Sequence, residues 1–244
     1  QMVAMESTGS YWKPVYNLLE IEGIPAMVVN AQHIKAVPGR KTDVTDSEWI
    51  ADLLKHGLLK GSYIPSRDQR ELKELVRYRR SMIDERAREL NRLQKVLEGA
   101  NIKLGSVVSD INGVSARQML MSMIQGNEDV DKLVLFAKGK MREKTEDLKR
   151  ALKGMMGEHQ RMILLRMMEH INYLDRLIEG LDEEIKRRMR PFEDKVAALD
   201  AITGVGERSA QTIIAEIGID MSTFPSARHL ASWAGMYPGN NESA

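Results

Sequence analysis

Hydrophobic and polar positions divide the chain into three segments with different periods. In the first, residues 1–64, two short apolar runs at 3–5 and 26–30 alternate with helical patterns at 11–22 and at a stretch that ends near residue 56. Apolar runs bounded by turn residues indicate buried strands, and a spacing of three to four indicates a helix. This order predicts a mixed α/β layer with two strands. In the first helix, Val15, Leu18 and Leu19 lie on one face.

The second segment, residues 65–190, contains two long helical stretches in which apolar residues recur every seven positions. The seam of the first stretch contains Val76, Ile83, Leu90 and Leu97, with Leu72, Leu93, Arg79 and Arg86 at the complementary position. The seam of the second stretch contains Leu164, Ile171, Ile178 and Ile185, with Met167, Leu174 and Leu181 at the complementary position. Heptad seams are typical of coiled coils. The two helices are therefore predicted to pack on each other, either within one chain or between chains.

The third segment, residues 191–244, contains a glycine-centred turn between two helical patterns. The turn is Gly204-Val205-Gly206, and Arg208 follows it at the start of the second helix, whose predicted buried face is Ala210, Ile213, Ile214 and Ile217. The pattern resembles a helix–hairpin–helix DNA-binding motif, in which loop and helix-terminal amides face a phosphate. Such backbone contacts carry no sequence preference. A helix–loop–helix without a ligand is the alternative.

The composition narrows the class of protein. Charged residues make up 29% of the 244 positions, hydrophobic residues 43% and aromatic residues 5%, which favours a helix-rich protein with charged surfaces. The net charge of +1 gives no overall attraction to nucleic acid, so any such binding must come from local patches. Cysteine is absent, which excludes disulfides and thiolate metal sites. Because no run of 18 apolar residues occurs, no membrane span is expected.

Three carboxylates are candidates for a metal site. Asp43 and Asp46 stand three residues apart at the start of a predicted helix, so they lie on the same side and can share a divalent cation. The alternative is structural, because Thr45 and Glu48 fit a capping box. Glu6 follows the first strand, and active residues of open α/β sheets gather at that end of strands. It is the third candidate, and a surface turn residue is the alternative.

Two basic stretches are candidates for phosphate contacts. The first long helix is rich in arginine, including Arg77, Arg79, Arg80 and Arg86. These side chains suit phosphates, but they also suit ion pairs with acidic residues four positions away on a solvated helix. A shorter basic cluster at residues 138–142 is either a nucleic-acid contact or a mobile surface loop.

Taken in order, several of these stretches resemble the DEDD transposases of the insertion-sequence "one-ten" group, which are bridge-RNA-guided recombinases. The matching stretches are Met5-Glu6-Ser7-Thr8-Gly9-Ser10-Tyr11-Trp12, Lys41-Thr42-Asp43-Val44-Thr45-Asp46, the loop around Gly204-Val205-Gly206, Phe224-Pro225-Ser226-Ala227 and Leu230-Ala231-Ser232-Trp233-Ala234-Gly235. The resemblance implies an α/β plus mostly α fold. It would comprise a partial RuvC-like (RNase H-like) domain at 1–64, a helical coiled-coil region at 65–190 and a transposase domain with a helix–hairpin–helix at 191–244.

The resemblance also implies a mechanism. Glu6, Asp43 and Asp46 match three of the family's four carboxylates, which hold Mg²⁺, and Ser243 matches the serine that attacks DNA and forms a covalent link. The matched loop residues Gly204, Val205, Gly206 and Arg208 are implied to bind DNA. The remaining Asp would precede Gln1, and the Gly and basic stretch after the serine would follow Ala244. The chain is therefore expected to be shortened at both ends.

The partners implied by the resemblance are donor and target double-stranded DNA, a structured guide RNA and further copies of the chain joined through the coiled coil. The expected location is the cytoplasm of a prokaryote, with no membrane contact. Two other functions remain open on the residues themselves. One is a RuvC-type junction-cutting nuclease that uses water in place of the serine. The other is a non-catalytic nucleic-acid-binding remnant.

Overall fold

The computed structural model describes residues 2–30 and 43–236, and for residues 43–46 it describes the backbone alone. The chain packs into two compact units. The first consists of residues 1–67 together with 218–244, and the second consists of residues 68–217. Within the described ranges, none of the helices combines the length and the apolarity needed to cross a bilayer.

The first unit contains the predicted strand–helix–strand–helix order. Strand β1 is Val3–Glu6, helix α1 is Trp12–Ile21, strand β2 is Ala26–Val29 and helix α2 is Asp43–Lys55. The two strands are parallel, so β1, α1 and β2 form one crossover unit, in which Glu6 is paired with Val29. Val29 also forms an isolated antiparallel bridge with Gly61, which adds a third chain segment to the sheet. The prediction of a small α/β layer is therefore confirmed.

The apolar face of α1 is largely uncovered. No residue of this helix is buried, and Val15 and Leu18 are 51% and 60% exposed, while Leu19 is partly buried. The predicted helix is therefore present, but its apolar face is mostly exposed in the described part of the chain. Periodicity shows that a helix has an apolar face, but it does not show that another element covers that face.

The C-terminal part of the first unit contains one further helix, α10, at Ala227–Trp233. Ser226 occupies the position before it, but its side chain makes no capping hydrogen bond. Its Oγ lies 2.8 Å from Nδ1 of His229 instead. Phe224 and Trp233 pack edge to face with ring centroids 5.7 Å apart, which ties the helix to the segment before it.

The second unit is a long helical hairpin with smaller elements at its two ends. In chain order its helices are α3 (Arg67–Gly99), α4 (Val114–Ile124), α5 (Val130–Leu133), α6 (Thr145–Leu152), α7 (Glu158–Met189), α8 (Glu193–Asp200) and α9 (Glu207–Ile217). Short 3₁₀ helices occur at Leu104–Ser106, Val134–Phe136, Gly139–Lys144 and Arg190–Phe192. The two long helices predicted from the heptads are α3 and α7, and Pro191 lies just after the end of α7.

The heptad seams of α3 and α7 pack against each other within one chain. Ion pairs join α3 to α7 in a consistent antiparallel register, because partners later in α3 are earlier in α7. These pairs are Glu71 with Arg188, Arg79 with Asp182, Arg86 with Asp175 and Glu89 with His170. The seam residues Val76, Leu97, Leu164 and Ile185 are buried, while Ile83 and Leu90 are partly buried. Of the two possibilities left open by the sequence, the structure therefore uses the intrachain one.

Two separate apolar cores stabilise the hairpin, one near each end. Residues 100–157 form a cap at the end where α3 finishes and α7 begins, and its core includes the fully buried Leu97, Leu104, Leu120, Leu148 and Leu164. The core at the opposite end joins α3 and α7 to α9 through Leu72, Val76, Ile185, Met189, Ile214 and Ala215. The segment with α8 and α9 is therefore part of the hairpin unit.

Two glycines give a matched test of packing in this unit. An added Cβ at Gly154 would meet the Ala100 carbonyl oxygen and the Ile102 side chain, whereas a Cβ at Gly180 in α7 would meet nothing within 4 Å. We expect Gly154→Ala to lower the free energy of unfolding by about 2 kcal/mol through overpacking. Gly180→Ala is expected to raise it by about 1 kcal/mol, because alanine is the better helix former. Urea unfolding measures both, and equal effects of the two variants would contradict this account.

Candidate functional site

The candidate carboxylate site lies at the end of β1. Glu6 is the last residue of this strand, and its Oε1 accepts a hydrogen bond from the Thr8 hydroxyl at 2.8 Å. Helix α2, which begins at Asp43, packs against β1. The fold thus brings the helix that carries Asp43 and Asp46 next to the strand that ends at Glu6.

The side chains of Asp43 and Asp46 and the whole of Ser243 lie outside what the structure describes. Among the groups that are described, no three acidic or histidine side chains lie close enough together to hold a metal ion. Because that statement does not cover the two aspartates, the metal site at Glu6, Asp43 and Asp46 stays a prediction. The role of Ser243 stays a prediction for the same reason.

The candidate DNA-binding loop connects α8 to α9. Gly204 has a φ of +90°, a left-handed conformation that favours glycine, and the Val205 amide donates to the Ile202 carbonyl at 2.9 Å. The Gly206 carbonyl accepts the first hydrogen bond of α9, from Ala210 at 3.0 Å. Gly204 and Gly206 are exposed, and neither has an atom within 4 Å of the position of an added Cβ. This open loop leads into a helix whose first amides lack intrahelical partners, an arrangement that can accept an anion.

The buried face of α9 partly agrees with the prediction. Ala210 and Ile214 are 0% and 4% exposed, while Ile213 and Ile217 are only partly buried. The sequence pattern therefore identified the buried side of α9, but it extended that side too far around the helix, to Ile213.

Glu216 fixes α9 to α3 through two cations. Its carboxylate accepts two hydrogen bonds from the Arg77 guanidinium, at 2.6 and 2.9 Å, and lies 2.7 Å from the Lys73 ammonium. Burial raises the pKa of the Glu216 carboxyl, but the hydrogen bonds from Arg77 and Lys73 outweigh it, so the net pKa is lowered. The hydrogen bond to Glu216 in turn raises the pKa of Arg77. These contacts hold the helix–loop–helix in a defined position on the hairpin.

A buried arginine forms the centre of the same junction. The Arg79 side chain is 3% exposed and donates to Oδ1 of Asp182 at 2.9 Å and to Oε1 of Gln211 at 2.7 Å. The other carboxylate oxygen of Asp182 accepts a hydrogen bond from the Arg208 guanidinium. Asp182 thus lies between Arg79 and Arg208, the charged residue of the candidate DNA-binding loop.

The other two predicted arginines also have carboxylate partners within the chain. Arg80 lies 3.1 Å from Asp84 one turn away, and Arg86 lies 2.8 Å from Asp175 on α7. Asp175 also receives a hydrogen bond from Arg117 on α4, at 2.9 Å. The role of Arg77, Arg79, Arg80 and Arg86 in phosphate binding stays a prediction, and a phosphate would have to compete with these partners.

The sequence reasoning missed the acidic and polar partners of these arginines, Asp175, Asp182, Gln211 and Glu216. One signal for two of them was available. Asp175 and Asp182 are seven residues apart, as are Arg79 and Arg86, and each aspartate directly follows a seam leucine, Leu174 or Leu181. No comparable spacing pointed to Gln211 or Glu216, because their contacts depend on how α9 folds back onto α3.

Comparison with known protein families gives two matches, one toward each end of the chain. A DEDD transposase model of the IS110 type matches residues 1–102, and a model for transposases of the IS116/IS110/IS902 family matches residues 196–244. The chain belongs to the IS110-family DEDD transposases. These transposases are enzymes that recombine DNA, so DNA is their substrate class. No curated protein matches the sequence at a significant level.

The two matches cover the candidate sites of this IS110-family chain. The first spans β1, α1, β2 and α2 and continues along α3, and the second contains the loop between α8 and α9 together with α10. DEDD transposases normally use a divalent metal ion, and the predicted ligands Glu6, Asp43 and Asp46 are carboxylates, whose hard oxygens such ions prefer. Most of the cap lies between the two matched regions.

Proposed function

We propose that the chain acts in insertion-sequence transposition by Mg²⁺-dependent cleavage and exchange of DNA strands, with Ser243 as the nucleophile and a structured RNA as the guide. The supporting observation is the packing of α2, which begins at Asp43, against β1, which ends at Glu6. The proposed partial RuvC-like domain requires this packing, because it brings the strand that ends at Glu6 next to the helix that carries Asp43 and Asp46.

The proposed metal ligands are Glu6, Asp43 and Asp46. All three are carboxylates, and only Oε1 of Glu6 is engaged by Thr8, which leaves its other oxygen for a ligand. A bound Mg²⁺ would neutralise negative charge on the attacked phosphate. The three carboxylates would hold the ion at the end of β1, because on their own their negative charge would repel the phosphate.

In the proposed reaction the Ser243 hydroxyl attacks the phosphorus of a DNA phosphodiester. The Oγ–P bond forms as the bond from phosphorus to a deoxyribose oxygen breaks, the serine loses its proton and the leaving oxygen gains one. The product is a DNA strand linked covalently to the chain. Attack by a hydroxyl of another DNA end reverses the step and completes strand exchange.

The helix–loop–helix of α8 and α9 is proposed to act as a helix–hairpin–helix that contacts DNA phosphates. The open backbone for this contact would come from Gly204, Val205 and Gly206. The Arg208 guanidinium would release Asp182 and bind a phosphate in its place. Backbone contacts of this kind do not select a sequence. Sequence choice would then come from base pairing to the guide RNA, as in other guided systems.

Assembly into a homo-oligomer through the long helices is also part of the proposal. Because the seam of α3 and α7 is used within the chain, this assembly would use the outer faces of the helices. Tyr78 and Tyr173 are 49% and 55% exposed on those helices and suit such a contact.

The test of the nucleophile uses Ser243→Ala. A labelled DNA duplex containing the element end is incubated with the chain and Mg²⁺, and the products are separated on a denaturing gel. The wild-type chain is expected to form a covalent protein–DNA adduct that Ser243→Ala lacks entirely. Ser232→Ala removes a serine from α10 and is the matched control, expected to form the adduct normally.

Two outcomes would overturn the serine mechanism. If Ser243→Ala cuts DNA as fast as wild type and neither forms an adduct, the enzyme is a RuvC-type nuclease that uses water. If no variant cuts DNA although all bind it, the chain is a non-catalytic nucleic-acid-binding remnant.

A further inference from the structure

The cap carries a concentration of positive charge that the chain as a whole lacks. The chain has 36 basic and 35 acidic residues, but residues 138–153 contain seven basic and three acidic ones. This stretch comprises Lys138, the 3₁₀ helix Gly139–Lys144, helix α6 and Lys153 after it. The excess of positive charge is therefore concentrated in one short part of the cap.

Most of these cations have no acidic partner. Lys149 pairs with Asp131 and Glu146, and Arg150 pairs with Asp147. Within the described part of the chain, the cap cations without an ion pair are Lys103, Lys138, Lys140, Arg142, Lys144 and Lys153. We call these six residues the cap cation surface. Arg142 and Lys144 donate only to backbone carbonyls, those of Ala137 at 3.1 Å and Val107 at 3.2 Å.

The arginines of α3 present the opposite situation. Arg77, Arg79, Arg80 and Arg86 each contact a carboxylate of the same chain, so a phosphate would gain little by replacing that partner. The cap cation surface has no such competition to overcome. On charge balance alone, a polyanion gains more from the cap than from the arginine-rich helix.

The cap cation surface lies on a well-packed part of the cap. The Lys103 amide donates to the Ala151 carbonyl at 2.8 Å, and the neighbouring Leu104 and Leu148 are fully buried in the cap core. A pocket of about 330 Å³ opens between these elements, and its charged lining is Lys103, Lys144, Arg150 and Asp147, of which Asp147 pairs with Arg150. The ammonium groups of Lys103 and Lys144 have no carboxylate partner and suit a phosphate oxygen.

We propose that the cap cation surface binds the phosphate backbone of nucleic acid, as a contact separate from the loop between α8 and α9. Along α7 the cap core extends to Ile171 and the α9 core begins at Ile185, so roughly 21 Å of helix separates the two cores. The inference rests on the charges of the cap and on the DNA substrate class of the family, and it needs neither Ser243 nor the metal ligands.

The test measures binding of the whole chain to nucleic acid as a function of salt. The probe variant is the triple substitution Lys138→Gln, Lys140→Gln and Lys144→Gln, and fluorescence anisotropy follows a 20-base-pair DNA duplex and an RNA hairpin of the same stem length. The variant is expected to bind at least about tenfold more weakly at 0.1 M salt. The slope of log Kd against log salt is expected to fall by about 2 to 3, because each lost phosphate contact removes about 0.9.

Two further variants make the result specific. Lys132→Gln, Arg166→Gln and Arg187→Gln remove three exposed cations that are paired with Asp129, Glu169 and Glu184, and this control should leave the slope unchanged. Replacing the same three cap lysines by arginine keeps their charge and should restore wild-type binding and slope. Circular dichroism on all variants checks that the helices remain.

Weakening of the DNA probe alone or of the RNA probe alone supports the proposal and names the partner. An unchanged slope for both probes overturns it, as does an equal fall in slope for the paired-cation control. If the glutamine variant loses helicity, the double substitution Lys103→Gln and Lys153→Gln replaces it as the test. For this variant the slope of log Kd against log salt is expected to fall by about 1 to 2. Failure of this proposal would leave the serine and metal tests unaffected, since neither uses a cap residue.

Discussion

Asp43→Asn and Asp46→Asn are each expected to reduce DNA strand cleavage and recombination by about 1,000-fold or more. Loss of a direct metal ligand should exceed the roughly 10–100-fold effect of altering a residue behind the ligands. Asparagine has nearly the shape of aspartate but carries no charge, so it removes the attraction to the cation while keeping the side-chain volume. An element excision assay in cells and a cleavage assay with Mg²⁺ measure the effect.

The same substitution separates the metal role of these residues from a structural one. Asparagine caps a helix as well as aspartate does, so if Asp43 only stabilised the start of α2, Asp43→Asn would change little. Asp52→Asn is the matched control, because Asp52 is an exposed residue of the same helix whose carboxylate lies 3.7 Å from Nδ1 of His56. We expect Asp52→Asn to keep activity within about threefold and all variants to unfold as wild type does. Normal recombination by Asp43→Asn and Asp46→Asn would remove the metal site from the proposed function.

Arg79→Ala is expected to lower the free energy of unfolding by about 3 kcal/mol. Removing one partner of a buried ion pair costs about 3–5 kcal/mol, and the low end applies because Asp182 keeps its contact with Arg208. The amide oxygen of Gln211 also loses its donor, and Gln211 is 4% exposed. Urea unfolding followed by circular dichroism measures the change.

The neighbouring Arg80 provides the control for Arg79. Its side chain is 75% exposed and pairs with Asp84 only one turn away, so Arg80→Ala should cost no more than about 0.5 kcal/mol. A double-mutant cycle between Arg79→Ala and Asp182→Asn should then give a coupling energy above about 1 kcal/mol. Similar costs for Arg79→Ala and Arg80→Ala would show that the buried network does not hold α9 on the hairpin.

The arginine-rich helix shows why residue type alone was a poor guide to function. The sequence leaves two interpretations of Arg77, Arg79, Arg80 and Arg86 open, phosphate contacts or ion pairs, because an arginine fork suits both a phosphate and a carboxylate. The choice depends on whether a carboxylate lies within reach, and for Arg77, Arg79 and Arg86 that carboxylate is 89 to 139 residues away in the chain. Such a distance in sequence carries no local signal. The antiparallel register of α3 and α7 brings together the partners of Arg79 and Arg86, and the packing of α9 on α3 brings Glu216 to Arg77.

The sequence by itself determined the local elements and the family. Heptad spacing specified α3 and α7, because a helix with a continuous apolar seam is stable only when that seam is covered. The apolar runs around Met5 and Val28 specified the two strands, and the ordered motifs at Glu6, Asp43 and Gly204 identified the transposase family that the comparisons show.

Only the tertiary structure decided which surfaces cover one another. It closed the seam within one chain, left the apolar face of α1 exposed in the described part, paired the arginines of α3 and left the cap cations without acidic partners. The physical reason is that periodicity reports which side of an element is apolar or charged, whereas burial and charge balance depend on contacts between residues far apart in sequence. Those contacts are properties of the packed chain, and each local pattern is compatible with several of them.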